Sequence, residues 1–429
     1  MKRRWMTVFC AILFTMLVMV ATDTKAAAEI SAWDIENEEV QTDGAFTYYI
    51  YPSKDGKEAW IYKIEIKGKK ETSLSIPENI RDKKVTRLGY PARDIENDNE
   101  AYTTLFGVGI EPWHNYDGIS KEVSALKTIQ LPDTVEVIDE SAFSGLDSVT
   151  EIKLPKNVKK IEDYTFYGCD KLKTIVLPEQ LESFQNLSLE DCPSLKNIKL
   201  SKTNKTFQVK GNCLICKMDK ALVFAVTSGK KLTIPDGVKK ITSHAFGRGN
   251  SSEIHIPASV SEIEPWAFNR ITGTGNSKIK NVTVSKKNRV FARDGQCIYK
   301  KSDKSLVVAI PDKKGELRIS KRVKKLTPDF SVVNGDPWKK NLKKVVYPSS
   351  LKRVIVPGFG VLDADKVYFT GKVPPKVVKP KSAAGYAKLP IFCHVYVPKA
   401  YDNVYKKWYK ENKCYSSVTR WYGWHTYNP

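Results

Sequence analysis

The chain has 429 residues, 41% of them hydrophobic and 28% charged, which is enough to bury a sizeable core and excludes global disorder. Its formal net charge of +22 favours anionic partners such as teichoic acids, acidic glycans, lipid headgroups or nucleic acid. Eight cysteines over this length are too sparse for a dense disulfide framework.

The first residues address the compartment. Met1–Arg4 is a short basic head, Trp5–Ala21 is an uninterrupted apolar run, and Ala26-Ala27-Ala28 supplies small residues. That order predicts a secretory signal peptide over 1–28, cleaved after Ala28. An uncleaved membrane anchor is the alternative, and at 17 residues the run sits at the lower limit for crossing a bilayer. Cys10 lacks the small residues a lipoprotein site wants before it, so no lipid anchor is expected. Without residues 1–28 the chain has 66 lysines and arginines against 47 acids, a net charge of +19, and no later stretch is apolar enough to span a membrane. Export makes a nucleic-acid partner unexpected and points to a secreted, extracellular or surface-associated protein.

Residues 29–60 are first acidic, then rich in tyrosine, and suit an N-terminal cap. From there a repeat takes over. Leu126-Lys-Thr-Ile129-Gln-Leu131-Pro132, Val149-Thr-Glu-Ile152-Lys-Leu154-Pro155 and Leu172-Lys-Thr-Ile175-Val-Leu177-Pro178 step by 23 residues, and a fourth copy at Leu195–Leu200 has Ser201 in place of proline. Apolar residues follow each proline at +3 and +6 (Val135 and Ile138, Val158 and Ile161, Leu181 and Phe184). Then come Ala142-Phe143, Thr165-Phe166 or Ser188-Leu189, and a tight turn at Gly145, Gly168 or Asp191. The frame recurs at Leu232–Pro235 and Ile254–Pro257, more weakly around Ser320, Pro348 and Pro398, and first at Leu74–Pro77. Alternating apolar residues put one face of a short strand inward, proline ends the strand, and stacked turns share one core.

A second period is longer. Asn204–Leu222 matches Asn288–Leu306 at a constant offset of 84 residues, each reading as a β-hairpin inserted between coils, over 202–230 and 286–314. Residues 90–125 interrupt the array, and Gly371–Pro390 reads as an irregular connector. The solenoid is assigned to 61–405. Tyr401–Lys410 is an amphipathic helix that would close its end, and 406–429 form a C-terminal cap with an aromatic tail, Trp421–Tyr427.

This frame resembles the BspA-like leucine-rich-repeat family of bacterial secreted and surface proteins, whose repeats read apolar-x-x-Ile-x-Ile-Pro-x-x-Val-x-x-Ile-x-x-x-Ala-Phe. The resemblance spans roughly residues 60–405. It implies a mainly β (α/β) leucine-rich-repeat solenoid of right-handed stacked coils, with two inserted hairpins and terminal caps. It also implies adhesion or protein binding at a cell surface. No Leu-Pro-x-Thr-Gly sorting signal is present, a departure from many relatives that puts covalent wall attachment in doubt.

No catalytic constellation emerges, so an enzyme is not expected, nor a cofactor or metal. His114, His244, His255, His394 and His425 match no metal-binding spacing. Cys213-x-x-Cys216 lies within a strand, where residues three apart face opposite ways, and its counterpart is Cys297 with Lys300. Cys169 and Cys192 share one repeat position and read as buried small hydrophobes. Cys393 and Cys414 are the one plausible bridge.

The outward strand position two before each proline is the candidate binding surface: Gln130, Lys153, Lys199, Thr233, His255, Arg318 and Tyr396, with Val176 and Val346 between them. Stacked at about 4.8 Å, these side chains form a column. The position four before holds Thr128, Glu151, Thr174, Asn197, Lys231, Glu253, Glu316, Lys344 and His394, a polar mixture suited to a protein ligand. Lys159-Lys160, Lys239-Lys240 and Lys324-Lys325 recur at equivalent positions, with Lys339-Lys340 and Lys343-Lys344 nearby. They are the candidate anion-binding stripe, or else a solvated, aggregation-resistant face. Two functions remain open. One is an adhesin binding an extracellular protein or glycan through the sheet face. The other is a structural protein held by its charge to anionic cell-surface polymers.

Overall fold

The computed structural model describes residues 32–68, 71–89, 104–106, 121–227, 229–246, 252–268, 279–327, 330–333, 342–355, 364–378, 394–412 and 423–428. The signal peptide, most of the 90–125 insertion, His114, Lys339, Lys340, the Cys393–Cys414 pair and Trp421 lie outside the described residues.

The chain is a mainly β solenoid with two rows of short parallel strands. The first row carries the predicted repeat strands, such as Thr128–Gln130, Glu151–Lys153, Thr174–Val176 and Asn197–Lys199. Within each, the central isoleucine is buried and its flanks mostly face outward, as the period of two requires. The second row consists of two-residue strands after the proline, Val137–Ile138, Lys160–Ile161 and Ser183–Phe184, paired in parallel with Ile138, Ile161 and Phe184 inward. Between the rows the Ala-Phe pair fills the coil, and Phe143 and Phe166 stack at 5.8 Å between centroids. The predicted turns are left-handed, with φ of 76° at Gly145, 68° at Gly168 and 58° at Asp191. Cys169 and Cys192 are buried in this row, each thiol donating to the phenylalanine carbonyl of the preceding coil (3.3 Å to Phe143, 3.1 Å to Phe166).

The N-terminal residues form a meander of Glu39–Asp43, Phe46–Pro52 and Glu58–Ile66, the last strand crossing residue 60. That strand pairs in parallel with Lys83–Leu88, which in turn pairs with Val137–Ile138. Trp60 seals the junction: its indole N–H donates to the Gly89 carbonyl at 2.7 Å, and the Arg87 guanidinium lies 4.0 Å from its ring centre.

Each inserted segment contains three antiparallel strands, not two. Phe207–Lys210, Cys213–Cys216 and Ala221–Ala225 form the first, and Phe291–Asp294, Cys297–Lys300 and Leu306–Ala309 the second. The third strand of the first joins the second row in parallel at Lys240–Ile241; that of the second meets the second row through a parallel bridge between Ser305 and Lys325 and pairs beyond it with Ser331–Val332. The segments are therefore woven into the solenoid wall.

At the C-terminus the helix spans Asp402–Asn412, with Tyr405 and Trp408 buried. Their side chains donate to the carbonyls of Gly371 (3.2 Å) and Pro375 (2.8 Å). Gly423–Tyr427 adds a final parallel strand beside His394–Pro398. Its Trp424 turns inward, and the indole N–H reaches Asp402 at 2.8 Å. Part of the aromatic tail is therefore cap.

Candidate binding surface

The predicted outward column is continuous in register within each segment of the first row. Val176 sits between Lys153 and Lys199, and Thr233 pairs with His255. Arg318 pairs with Val346. Gln130, Lys153, Lys199, Thr233 and Arg318 are exposed, while His255 and Tyr396 are half-buried by their neighbours. Three coils in this column escaped the proline rule. Thr283 follows His255, Tyr368 stands between Val346 and Tyr396, and His425 follows Tyr396. Their strands are Asn281–Val284, Ala364–Phe369 and Gly423–Tyr427, of which the first two end at Ser285 and Thr370 instead of proline.

The column changes character along the solenoid. In the N-terminal coils it is polar and aliphatic. In the last three it is a stack of rings: Tyr368 and Tyr396 are parallel at 4.3 Å, and Tyr396 and His425 at 4.6 Å. The parallel column four before the proline supplies charge to the same end, with Glu316, Lys344, Lys366 and His394 in register. Lys344 lies 5.1 Å from the Tyr368 ring centre and 3.8 Å from Glu316. His394 Nδ1 and His425 Nε2 are 2.8 Å apart, one donating to the other. This contact explains Gly423, whose φ is +143° and where a Cβ would lie 3.0 Å from the His425 ring. Aromatic edges, two imidazoles and lysines side by side can stack on and hydrogen-bond a polar ligand.

Cys213 and Cys216 point to different surroundings, as the strand reading requires. Cys213 is buried, its thiol pushed up to about 12 by desolvation, and Cys216 is half-buried. Among the described residues no group of three His, Cys, Asp or Glu side chains is arranged to hold a metal ion.

The lysine stripe is divided by its environment. Lys159, Lys239 and Lys324 are exposed. The second lysine of each pair meets a carboxylate: Lys160, still exposed, that of Glu162, and the half-buried Lys240 and Lys325 those of Glu262 (3.3 Å) and Glu264, and of Asp303 (3.2 Å). The bond to Glu264 raises the Lys240 pKa, and Glu264 is held below its usual value despite the opposing effect of burial. Net charge is also unevenly distributed. Residues 29–279 hold 33 lysines and arginines against 37 acids, whereas residues 280–429 hold 33 against 10.

These two rows of parallel strands around a shared apolar seam define a leucine-rich-repeat solenoid. Residues 121–214 and 220–301 match the BspA type leucine rich repeat region in six copies, so the chain carries a BspA-type leucine-rich-repeat array. Solved structures that align with the chain include a leucine rich cell surface protein of Faecalibacterium prausnitzii, at 16% identity and a TM-score of 0.36, covering 78% of this chain and 96% of that one. The pneumococcal vaccine antigen PcpA aligns at 15% identity and a TM-score of 0.34, over 87% and 96% of the two chains. A leucine-rich repeat protein of Bacteroides ovatus aligns at 14% identity and a TM-score of 0.23, over 91% and 99%. A search of curated proteins gave no match. No helix among the described residues is long and apolar enough to cross a membrane.

Proposed function

We propose that the protein is an exported, surface-associated binding module, without enzymatic activity, that grips an extracellular protein or glycan with the outward face of its first strand row. The carrying observation is the ring column Tyr368–Tyr396–His425 beside Lys344, Lys366 and His394. Side chains fixed on paired strands lose little freedom on binding, so a rigid mixed face of this kind favours a specific ligand. A glycan and extracellular-matrix array probed with the protein at about 0.05 and 0.3 M salt tests the reading, because surface charge alone is screened at the higher value. A saturable hit that survives the higher salt is expected. Loss of every hit would leave no specific ligand.

A second reading, retention on anionic cell-surface polymers through positive charge, is favoured by the excess of 33 cations over 10 acids in residues 280–429. Release from whole cells by moderate salt would support it.

A further inference from the structure

We infer that the second strand row of the C-terminal coils is a docking strip for a linear phosphodiester polymer, with Lys324, Lys325, Lys352, Arg353 and Lys376 as its cationic rungs. This rests on the charge-retention reading and gives it a place on the molecule.

The strip stands out against the same position elsewhere in the fold. In the N-terminal coils the outward column of the second row reads Val137, Lys160, Ser183, and farther along Lys240 is paired with Glu262. Each lysine there faces a neutral or acidic neighbour on the adjacent coil, and Lys160 and Lys240 also hold carboxylates. In the C-terminal coils the equivalent column is Lys325, Arg353, Lys376, three cations in direct register with Leu326, Val354 and Val377 beneath them. Lys324 and Lys352 flank it, exposed and tied to the same backbone ladder: the Lys352 amide donates to Lys324 O and the Lys376 amide to Lys352 O, both at 2.9 Å. Asp303 is the one acid that meets these five side chains among the described residues, through Lys325.

Like charges directly opposite on neighbouring strands are destabilising, and nothing in the packing of an exposed rung demands a cation. Val137, Ser183 and Glu262 show that the same backbone accepts neutral and acidic residues at this place. Rungs about 4.8 Å apart along the solenoid axis match a partner that is itself extended and carries a negative charge at short, regular intervals. A flexible phosphodiester chain can adjust its charges to a fixed pitch, whereas a rigid duplex presents a fixed spacing of its own. The strip lies on the row of strands that does not carry the Tyr368–Tyr396–His425 column, so docking leaves that column available.

Immobilised poly(glycerol phosphate) is the probe. With about five rungs engaged, the affinity of the full chain is expected to fall about 100-fold between 50 and 200 mM salt by counterion release. The triple variant Lys352→Gln, Arg353→Gln, Lys376→Gln should lower the log–log salt slope by about 2 and weaken binding at 50 mM salt more than 10-fold. Lys127→Gln, Lys173→Gln, Lys196→Gln removes the same charge from exposed positions of the N-terminal coils outside the lysine stripe and should bind like the unaltered chain. The charge-preserving Lys352→Arg, Arg353→Lys, Lys376→Arg should do the same, which separates loss of charge from loss of fold. Equal weakening by the two neutralising triples would overturn the strip while leaving charge retention standing. Absence of binding by the unaltered chain at 50 mM salt would remove charge retention itself. Tighter binding to duplex DNA than to poly(glycerol phosphate) at equal charge concentration would overturn the choice of polymer.

Discussion

Asn204 and Asn288, 84 residues apart in the chain, make four hydrogen bonds each in a closely matching pattern. Each buried amide NH2 donates to two carbonyls of the preceding coil, Glu179 and Leu181 for Asn204, Pro257 and Val260 for Asn288. Each side-chain oxygen accepts from the backbone amides that open the three-stranded segment, Thr206 and Phe207, or Val290 and Phe291. The asparagine thus replaces backbone bonding where the coil gives way to the insertion. Asn204→Ala leaves four backbone groups short of a partner, those of Leu181 and Phe207 in buried bonds, and should cost about 3 kcal/mol in urea unfolding. Asn288→Ala should cost a similar amount. A loss under 1 kcal/mol for both would mean that the segments are held by their apolar contacts alone.

Arg87, on the strand next to the N-terminal cap, and Asp139 clamp the first coil to the one that follows. The guanidinium makes bonds of 2.7 to 3.1 Å to both carboxylate oxygens, and each side chain is about an eighth exposed. Removing one partner strands the other charge in a nearly buried place, so Arg87→Ala should destabilise by about 3 kcal/mol. The double replacement Arg87→Met, Asp139→Leu should recover much of that loss. Additive losses would show that the pair is not coupled.

Glu140 gives the stability a pH dependence. Burial first, then the neighbouring Asp163, Glu162 and Asp139, push its pKa up to about 7 from an ordinary 4.5. The folded chain therefore holds a proton that the unfolded chain releases between about pH 4.5 and 7, and this group's contribution to stability declines across that window and is flat above it. Because Glu140 retains contact with solvent, the change is set at about 1–2 kcal/mol. Glu140→Gln should melt higher than the unaltered chain at pH 8 and nearly equal to it at pH 5. An unchanged difference between the two pH values would contradict the assignment.

The sequence made the coils legible wherever proline closed a strand, because the Pro, Val-x-x-Ile and Ala-Phe positions each carry a steric requirement. The coils at Thr283 and Tyr368 were missed because Ser285 and Thr370 end those strands without the ring that marks the others. The strand carrying His425 has no clear signature, because five residues of alternation are too few to distinguish a strand from an aromatic cluster. The third strand of each insertion pairs with a coil well beyond it, Ala221–Leu222 with Lys240–Ile241 in the first, and such parallel pairing has no local signature. The contrast between alternating and uniform charge in the second row needs the register of Lys325, Arg353 and Lys376, which are 28 and 23 residues apart.

The binding face itself is tested most directly by one variant on one ligand. Tyr396 stacks on Tyr368 and His425 at the centre of the ring column, and replacing it should cost the fold only about 1 kcal/mol. The measurement is the dissociation constant of Tyr396→Ala, at about 0.3 M salt, for a glycan or matrix protein that the unaltered chain captures saturably. The account predicts a loss of 10-fold or more with circular dichroism unchanged. Affinity equal to that of the unaltered chain would contradict a binding role for the ring column.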